Sequence, residues 1–493
     1  MAAEPGTTSG LAPQEPLAAG RIVDGWRLEE KLYTGGMAHL WRVSAVPSTD
    51  RAAPAAARAD GTALPLIMKV PRIKGGEDPA SIVGFEVEQL ILPTLHGPHV
   101  PRFVARGDFS HQPYIVMERI EGPSLRPRLD EAPLPFDDII EIGSRVATAL
   151  HDLHRQHLVH LDVKPSNIVF RPDGTAVMVD FGLSHHDRLP DLLEEEFTLP
   201  MGTGPYMSPE QVQYVRDDPR SDLFALGVML YHFTTGQRPF GAPETVRGLR
   251  RRLYVDPIPP RSLRADCPPW LQEVILKCLE VKPQQRWQSG AQLALALQDP
   301  SQVPLTSRAQ RQHVSGMMKR LKQWFFAVGA EPEAAPADGV TNRVMKSPII
   351  LAAVDVEQAT GELLDQLRET VRRIVVAEPG ARLACVSVMK TARIGMDDLV
   401  DATGQSRHVK QLVALKHWAR PISLQLDLQD GRLTFHVLEA PDAAQAVIEF
   451  AARNQADHIV MGARANSTLR RYLGSTSSQV VAQAHCTVTV VRA

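Results

Sequence analysis

The sequence predicts two or three folded domains in tandem, the last an α/β domain built on a parallel sheet. Three observations predict them. A chain of 493 residues exceeds the roughly 250–300 residues at which a single core stops growing. Its first part carries the run His160-Leu161-Asp162-Val163-Lys164-Pro165-Ser166-Asn167, followed by Asp180-Phe181-Gly182. After about Thr341 the pattern restarts, with apolar strands alternating with amphipathic helices. That alternation implies a parallel sheet covered on both faces.

Taken in order, residues 1–20 are rich in Ala, Gly, Pro and Thr and read as disordered. Leu32-Tyr33-Thr34-Gly35-Gly36-Met37-Ala38 lies between two strand-like runs. Its glycines let a backbone approach phosphate groups closely. The Ala- and Pro-rich stretch between Ser44 and Leu64 reads as a surface loop. Ile67-Met68-Lys69-Val70 is a strand ending in a lysine, which is costly unless the charge has partners. An ATP phosphate and a helix carboxylate would supply them. Glu88 is the expected carboxylate, because Leu92 and Leu95 follow it at helical spacing, with Glu86 as the alternative. Moving a γ-phosphoryl group needs positioning, charge neutralisation by Mg²⁺ and one group to orient the attacking hydroxyl. Asp180 and Asn167 offer the oxygens a hard cation prefers. Asp162 is then left facing the nucleophile.

On these residues the chain resembles the eukaryotic-like serine/threonine protein kinases found in bacteria, over about Arg21 to Asp299. The resemblance implies the bilobal α+β protein kinase fold, with an N-lobe over about 21–119 and a C-lobe over about 120–299. It also implies ATP and Mg²⁺ as cofactors, Mn²⁺ being the alternative metal, and transfer to Ser or Thr of proteins, including the chain itself. Gly202-Thr203-Gly204-Pro205-Tyr206-Met207-Ser208-Pro209-Glu210 looks like the end of an activation segment, and Ser221 to Gly227 like the buried helix after it. By the same resemblance Glu210 pairs with Arg286, and Asp222 holds the catalytic-loop backbone. Met117 sits beside the adenine, with Glu118, Arg119 and Ile120 as the hinge. Lys69, held by Glu88, steadies the phosphates, Lys164 balances charge on the moving group, and Thr203 links the activation segment to the loop. Tyr33 and Ala38 replace family glycines, which stiffens the phosphate loop. Leu161 stands where most such kinases carry an arginine that receives an activation-loop phosphate.

Composition narrows the function classes. A net charge of −2 provides no field for a nucleic-acid backbone. The four cysteines show no metal-ligand spacing and read as reduced structural thiols. No apolar run reaches the roughly 18 residues needed to cross a bilayer, and the N-terminus lacks a charged-then-apolar signal pattern. The expected location is cytoplasmic.

In the second domain the expected strands are Ile349 to Val354, Leu383 to Val388, Leu433 to Leu438, His458 to Met461 and Thr487 to Val491. Helical patterns cover Glu362 to Val376 and Ala443 to Asn454. Ligands of such sheets bind beyond the strand C-termini. Asp355 lies at one such end and Gly462-Ala463-Arg464-Ala465 at another, with Gly474-Ser475-Thr476 opening a helix whose amides suit phosphate. Residues 345–493 resemble the universal stress protein family, whose fold is adenine nucleotide α-hydrolase-like. The resemblance implies that Asp355 takes adenosine, and that Gly462, Gly474 and Ser475 take phosphates. Ala465 replaces the family's second glycine, and the spacer to Gly474 is one residue short. Two readings stay open here, an adenine-nucleotide site and a homodimerisation module that binds nothing.

Residues 300–344 join the domains. Val314, Met317, Met318, Leu321, Trp324 and Phe325 recur at helical spacing within a basic stretch at about 308–326, the composition of a helix that docks on a partner or lies on a membrane surface. Docking on one of the two domains is the plain reading and peripheral membrane contact the sharper one. Gly329 to Gly339 reads as a tether. His151, His154, His157 and His160 recur every third residue, yet they precede or belong to the catalytic loop and read as structural. The leading function is therefore a protein kinase with a nucleotide-binding or dimerising stress-sensor domain. Its rival is a catalytically impaired, nucleotide-gated scaffold. Because Leu161 removes the phosphate receptor and Glu194, Glu195 and Glu196 repel an added phosphate, a Thr198→Ala chain is expected to keep its phosphate-transfer rate; an inactive variant refutes this.

Overall fold

The computed structural model describes residues 17–46, 63–72, 79–109, 111–197, 199–313, 348–391, 406–428, 431–463 and 475–492. Residues 1–16, most of the Ser44–Leu64 insertion, Thr198, the apolar positions from Val314 to Phe325, Arg464, Ala465 and Gly474 lie outside them. The chain forms two compact units. One comprises Met1–Ile82, Phe103–Arg119 and Ser347–Ala493, and the other Val83–Arg102 and Ile120–Lys346.

The first unit contains two sheets. Strands β1 (Ile22–Val23), β2 (Trp26–Thr34), β3 (Ala38–Ala45), β4 (Leu66–Pro71), β5 (Phe103–Gly107) and β6 (Tyr114–Glu118) form an antiparallel sheet in the order β1-β2-β3-β4-β6-β5. Period-2 alternation puts Trp26, Leu28, Trp41, Val43, Met68, Val70 and Val116 into one core cluster. Fully burying a side chain such as Leu28 or Met68 contributes ~2–3 kcal/mol.

The second unit is mainly helical. Its helices are α1 (Pro79–Ile91), whose first turn falls in the other unit, α2 (Phe136–Arg155), α3 (Leu192–Glu196), α4 (Pro209–Val212), α5 (Arg220–Thr235), α6 (Val246–Leu249), α7 (Pro260–Leu263), α8 (Pro269–Cys278) and α9 (Gly290–Gln298). Short strands β7 (Leu158–Val159), β8 (Ile168–Phe170), β9 (Ala176–Met178) and β10 (His185–His186) pair as β7 with β10 and β8 with β9. The amphipathic α2 opens with Asp137 and Asp138 and buries Ile139, Val146, Leu150 and Leu153. α5 is apolar on all sides and buried nearly throughout, as a helix at the centre of a core must be. Close crossings need glycine: a Cβ on Gly143 would meet Leu230 at 2.8 Å and Leu297 at 2.9 Å, and one on Gly227 would meet Cys278 at 2.3 Å.

The second sheet of the first unit is parallel throughout. Strands β11 (Ile349–Ala353), β12 (Arg382–Lys390), β13 (Leu433–Ala440), β14 (His458–Ala463) and β15 (Thr487–Arg492) run in the order β13-β12-β11-β14-β15. Helices α10 (Gly361–Ala377), α11 (Arg407–Leu426), α12 (Ala443–Arg453) and α13 (Ser475–Gln483) make the crossovers. On one face Ile350 and Ala352 meet Leu363, Leu367 and Val371 of α10 and Leu415 and Trp418 of α11. On the other, Ile349 and Leu351 meet Val447, Ile448 and Phe450 of α12 and Val480 of α13. The expected strands and the two expected helices appear, each with slightly shifted ends. α11 is the element the sequence reading lacks, because Pro421 lies inside it and proline reads as a helix breaker.

One buried ion pair ties the helical unit together. Arg286, 2% exposed, donates Nη1 and Nη2 to the two Glu210 oxygens at 2.6 and 2.7 Å. Ser221 adds a hydroxyl donor to the same carboxylate at 2.7 Å. Arg286→Met strands the Glu210 carboxylate and is expected to lose ~3–5 kcal/mol, read as a lower midpoint of denaturant unfolding. A loss of only about 1 kcal/mol, the range of an exposed pair, overturns the reading of this pair as a tie.

Candidate active site

Strand pairing brings two loops together. α2 ends at Arg155, the chain runs through β7, and residues 160–167 follow before the β8–β9 hairpin; residues 179–184 then lead into β10, which pairs back on β7. Asp222, in the first turn of α5 and 1% exposed, accepts the amides of His160 and Leu161, each at 2.9 Å, and His154 Nε2 at 2.9 Å. This anchor holds Leu161 at φ 60°, a left-handed conformation that costs ~1–2 kcal/mol for a residue with a Cβ. Gln211 donates to the Leu161 carbonyl at 2.7 Å, and the Ser184 hydroxyl to the His160 carbonyl at 3.1 Å. His160 Nδ1 accepts the Asp162 amide at 3.3 Å, so Nε2 carries the proton and donates to the Val179 carbonyl at 3.2 Å.

The loop so held presents Asp162, 6% exposed. Its Oδ1 accepts the Thr203 amide at 3.0 Å and the Thr203 hydroxyl at 2.6 Å. Its Oδ2 lies 2.6 Å from Lys164 Nζ and accepts Asn167 Nδ2 at 3.1 Å. Lys164 also donates to Thr203 Oγ1 at 2.9 Å. Because Asn167 Nδ2 also donates to the Asp162 carbonyl at 3.0 Å, the amide is turned so that Oδ1 is its outward acceptor, reached by Ser166 Oγ at 3.3 Å. Asp180 is half-buried at φ 70°, and Phe181 beside it packs its ring 5.4 Å from that of His160. An amide oxygen and a carboxylate on neighbouring loops are the hard donors that fit a divalent cation.

Asp162, Lys164, Asn167 and Thr203 thus lie in direct contact. Glu88 is 1% exposed on α1, whereas Glu86 is only half-buried. Gly84 of α1 meets Gly182: a Cβ on either would lie 3.0 Å from the other's carbonyl oxygen. The remaining expected residues belong to the first unit, Ile120 excepted. Lys69 sits on β4 between Leu40 and Ile115. Gly35 and Gly36 form the β2–β3 turn, where the Gly35 amide donates to the Ala38 carbonyl at 2.9 Å. Met117 and Glu118 end β6 and are buried; the Arg119 amide then bonds the Pro65 carbonyl at 2.7 Å, and Ile120 follows. Asp355 lies just past β11, exposed, and accepts the Gln358 amide at 3.0 Å; Gly462 lies on β14 against Leu363. Ser475 is the first residue of α13.

Two features went unread in the sequence. Arg72, after β4, donates to the Gly35 carbonyl at 3.0 Å, a contact no local pattern announces. The second is a charged cluster beside β10. Asp191 Oδ2 accepts Arg216 Nε at 2.6 Å and faces His185 Nδ1 at 3.0 Å. Burial works against a charged His185, but hydrogen bonds to Asp187 and Asp191 override it and raise the imidazole to about 9. Burial likewise opposes an ionised Asp191, yet His185 and Arg216 bring it down to about 2.

Against known proteins, residues 69–298 match the protein kinase domain model and residues 347–492 the universal stress protein family model. A Clostridium perfringens protein named as a probable serine/threonine-protein kinase is 32% identical over 210 residues, 42% of this chain and 30% of its own. Serine/threonine-protein kinase PknB of Mycolicibacterium smegmatis is 31% identical over 231 residues, 46% of this chain and 37% of its own. PknL of Mycobacterium bovis is 29% identical over 276 residues, 56% of this chain and 65% of its own. The chain therefore spans only about a third of the length of the first two of these. Residues 69–298 belong to the protein kinase domain family and residues 347–492 to the universal stress protein family.

Proposed function

We propose that this chain is an ATP-dependent serine/threonine protein kinase, acting on protein substrates and on itself, with a nucleotide-binding C-terminal domain. The observation that carries the reading is the direct contact of Asp162 with Lys164, Thr203 and Asn167. Asp162 orients the substrate hydroxyl and takes up its hydrogen as the new O–P bond forms and the bond from the γ-phosphorus to the β,γ-bridging oxygen breaks, ADP leaving with that electron pair. Thr203 and Asn167 fix the carboxylate so that it cannot swing away. Lys164 offsets charge on the transferred group, and Lys69, with Glu88 as its carboxylate, steadies the remaining phosphates. Gly35 and Gly36 let the loop approach them, while Met117, Glu118 and Ile120 line the adenine side. A divalent cation, Mg²⁺ in this reading with Mn²⁺ as the alternative, would be held by Asn167 and Asp180 and would neutralise phosphate charge. The intact set of acids, amide and lysine favours a working transferase over the scaffold reading. With ATP as phosphate donor, the reading takes the cytoplasm as its site of action; among the described residues no helix is long and apolar enough to cross a membrane.

In the C-terminal domain the strand order reverses between β11 and β14, and crevices at such reversals bind ligands. Asp355 follows one of these strands and Gly462 lies on the other, which favours an adenine nucleotide there over a module that serves only to pair two copies. Two tests follow. Labelled phosphate from ATP should reach the chain itself or casein, and Asp162→Asn and Asp180→Asn should each cut the rate at least ~100-fold; equal rates in all three proteins refute the kinase reading. Equilibrium dialysis of the full chain with labelled ATP should give two bound nucleotides, and one in Asp355→Ala. A single site in the unaltered chain removes the second nucleotide.

A further inference from the structure

Leu161 is apolar, 4% exposed, and cannot receive an anion, yet a grip on an anion exists nearby. It closes on a carboxylate of the chain itself. Asp191 Oδ1 caps α3 by accepting the Glu194 amide at 3.1 Å, while Oδ2 takes Arg216 Nε at 2.6 Å and His185 Nδ1 at 3.0 Å. Arg216 reaches further, donating Nη2 to the Leu183 carbonyl at 3.1 Å and, more weakly, to that of Ser184 at 3.5 Å. Ser184 in turn donates its hydroxyl to the His160 carbonyl at 3.1 Å. One continuous path thus runs from α3 through Arg216 to the backbone just after Asp180, and on to the catalytic loop. The three ionic side chains are only 7%, 11% and 14% exposed for Asp191, Arg216 and His185.

We propose that Asp191 is a built-in anion which, gripped by Arg216 and His185, positions the backbone following Asp180 for phosphoryl transfer without any added phosphate. The proposal rests on the kinase reading and makes Asp191 and Arg216 positioning residues, since neither is among the residues that would meet ATP or substrate. It also accounts for a chain that lacks the usual arginine at position 161.

The charges around His185 are Asp187 at the end of β10, Asp191 and Glu194 at α3, and Arg216 after α4. His157, ahead of β7, reaches Asp187 at 3.6 Å, Arg188 reaches His157 at 2.7 Å, and His186 neighbours both. His185 is raised above its ordinary value of 6.5, so its support is complete below pH 6.5 and is lost as pH rises through about 9. Asp191 is depressed, so its support is complete above 3.8 and is lost as pH falls through about 2.

The test uses the full chain and transfer of labelled phosphate to casein. Asp191→Asn keeps an oxygen to cap α3, since Asn caps as well as Asp, but removes the charge and puts an NH2 donor where Oδ2 accepts Arg216 Nε and His185 Nδ1. Its maximal rate should fall about tenfold, which corresponds to ~1.4 kcal/mol in the barrier, with KM for ATP unchanged within about twofold. The alkaline limb of its rate profile should move toward neutral pH, because His185 has lost a carboxylate. Arg216→Lys keeps the charge but not the fork and should show a smaller loss of the same kind. An Asp191→Asn chain with unaltered rate and alkaline limb overturns the proposal, as does a loss confined to KM for ATP. If Asp191→Asn does not fold, Arg216→Lys decides by maximal rate against KM for ATP: an unaltered rate, or a loss confined to KM, overturns the proposal, and the alkaline limb should stay in place because Asp191 is kept. Failure of the unaltered chain to transfer phosphate above the Asp162→Asn background overturns the kinase reading instead.

Discussion

A single buried carboxylate governs the candidate active site. Asp222 accepts two successive backbone amides and an imidazole nitrogen, and an anion so deeply buried is tolerable only when its lone pairs are filled in this way. In return it holds Leu161 in a left-handed conformation that leucine would not adopt unaided. That twist sends the following residue, Asp162, toward Thr203 and Lys164. The buried α5 matters for the same reason: its packing fixes Asp222, and Asp222 fixes the loop.

The C-terminal domain solves a different problem. A wholly parallel sheet cannot be wet on either face, so every strand must serve two cores. β11 does so by simple alternation, Ile350 and Ala352 facing α10 and α11, Ile349 and Leu351 facing α12 and α13. Because the chain builds outward from β11 in one direction and then crosses to the other side, the strand order reverses at the central strand, which Asp355 follows and which pairs with the Gly462-bearing β14.

Much of this was legible in the sequence, and the division has a physical basis. Asp162, Lys164, Asn167 and Asp180 sit close together along the chain with motif spacing, and the β11–β15 strands announce themselves as apolar runs between turns. The choice of Glu88 over Glu86 followed from helical periodicity alone, and the structure buries the first and only half-buries the second. Arg72, Arg216 and Asp191 were not legible, because each acts through a partner distant along the chain and a lone arginine has no period. α11 was hidden by Pro421, which tertiary packing of Leu415, Trp418 and Ile422 overrides. The readings of the basic interdomain stretch, Thr198 and Gly474 fall on residues outside those described.

The approach of Gly84 to Gly182 has a mechanical consequence. With no side chain between them, the α1 backbone rests directly on the backbone beside Asp180, and contacts of that kind transmit displacement rather than absorb it. A side chain at either position would put its Cβ 3.0 Å from the opposing carbonyl oxygen, so glycine at both is what lets the helix that carries Glu88 lie this close to the loop that carries Asp180.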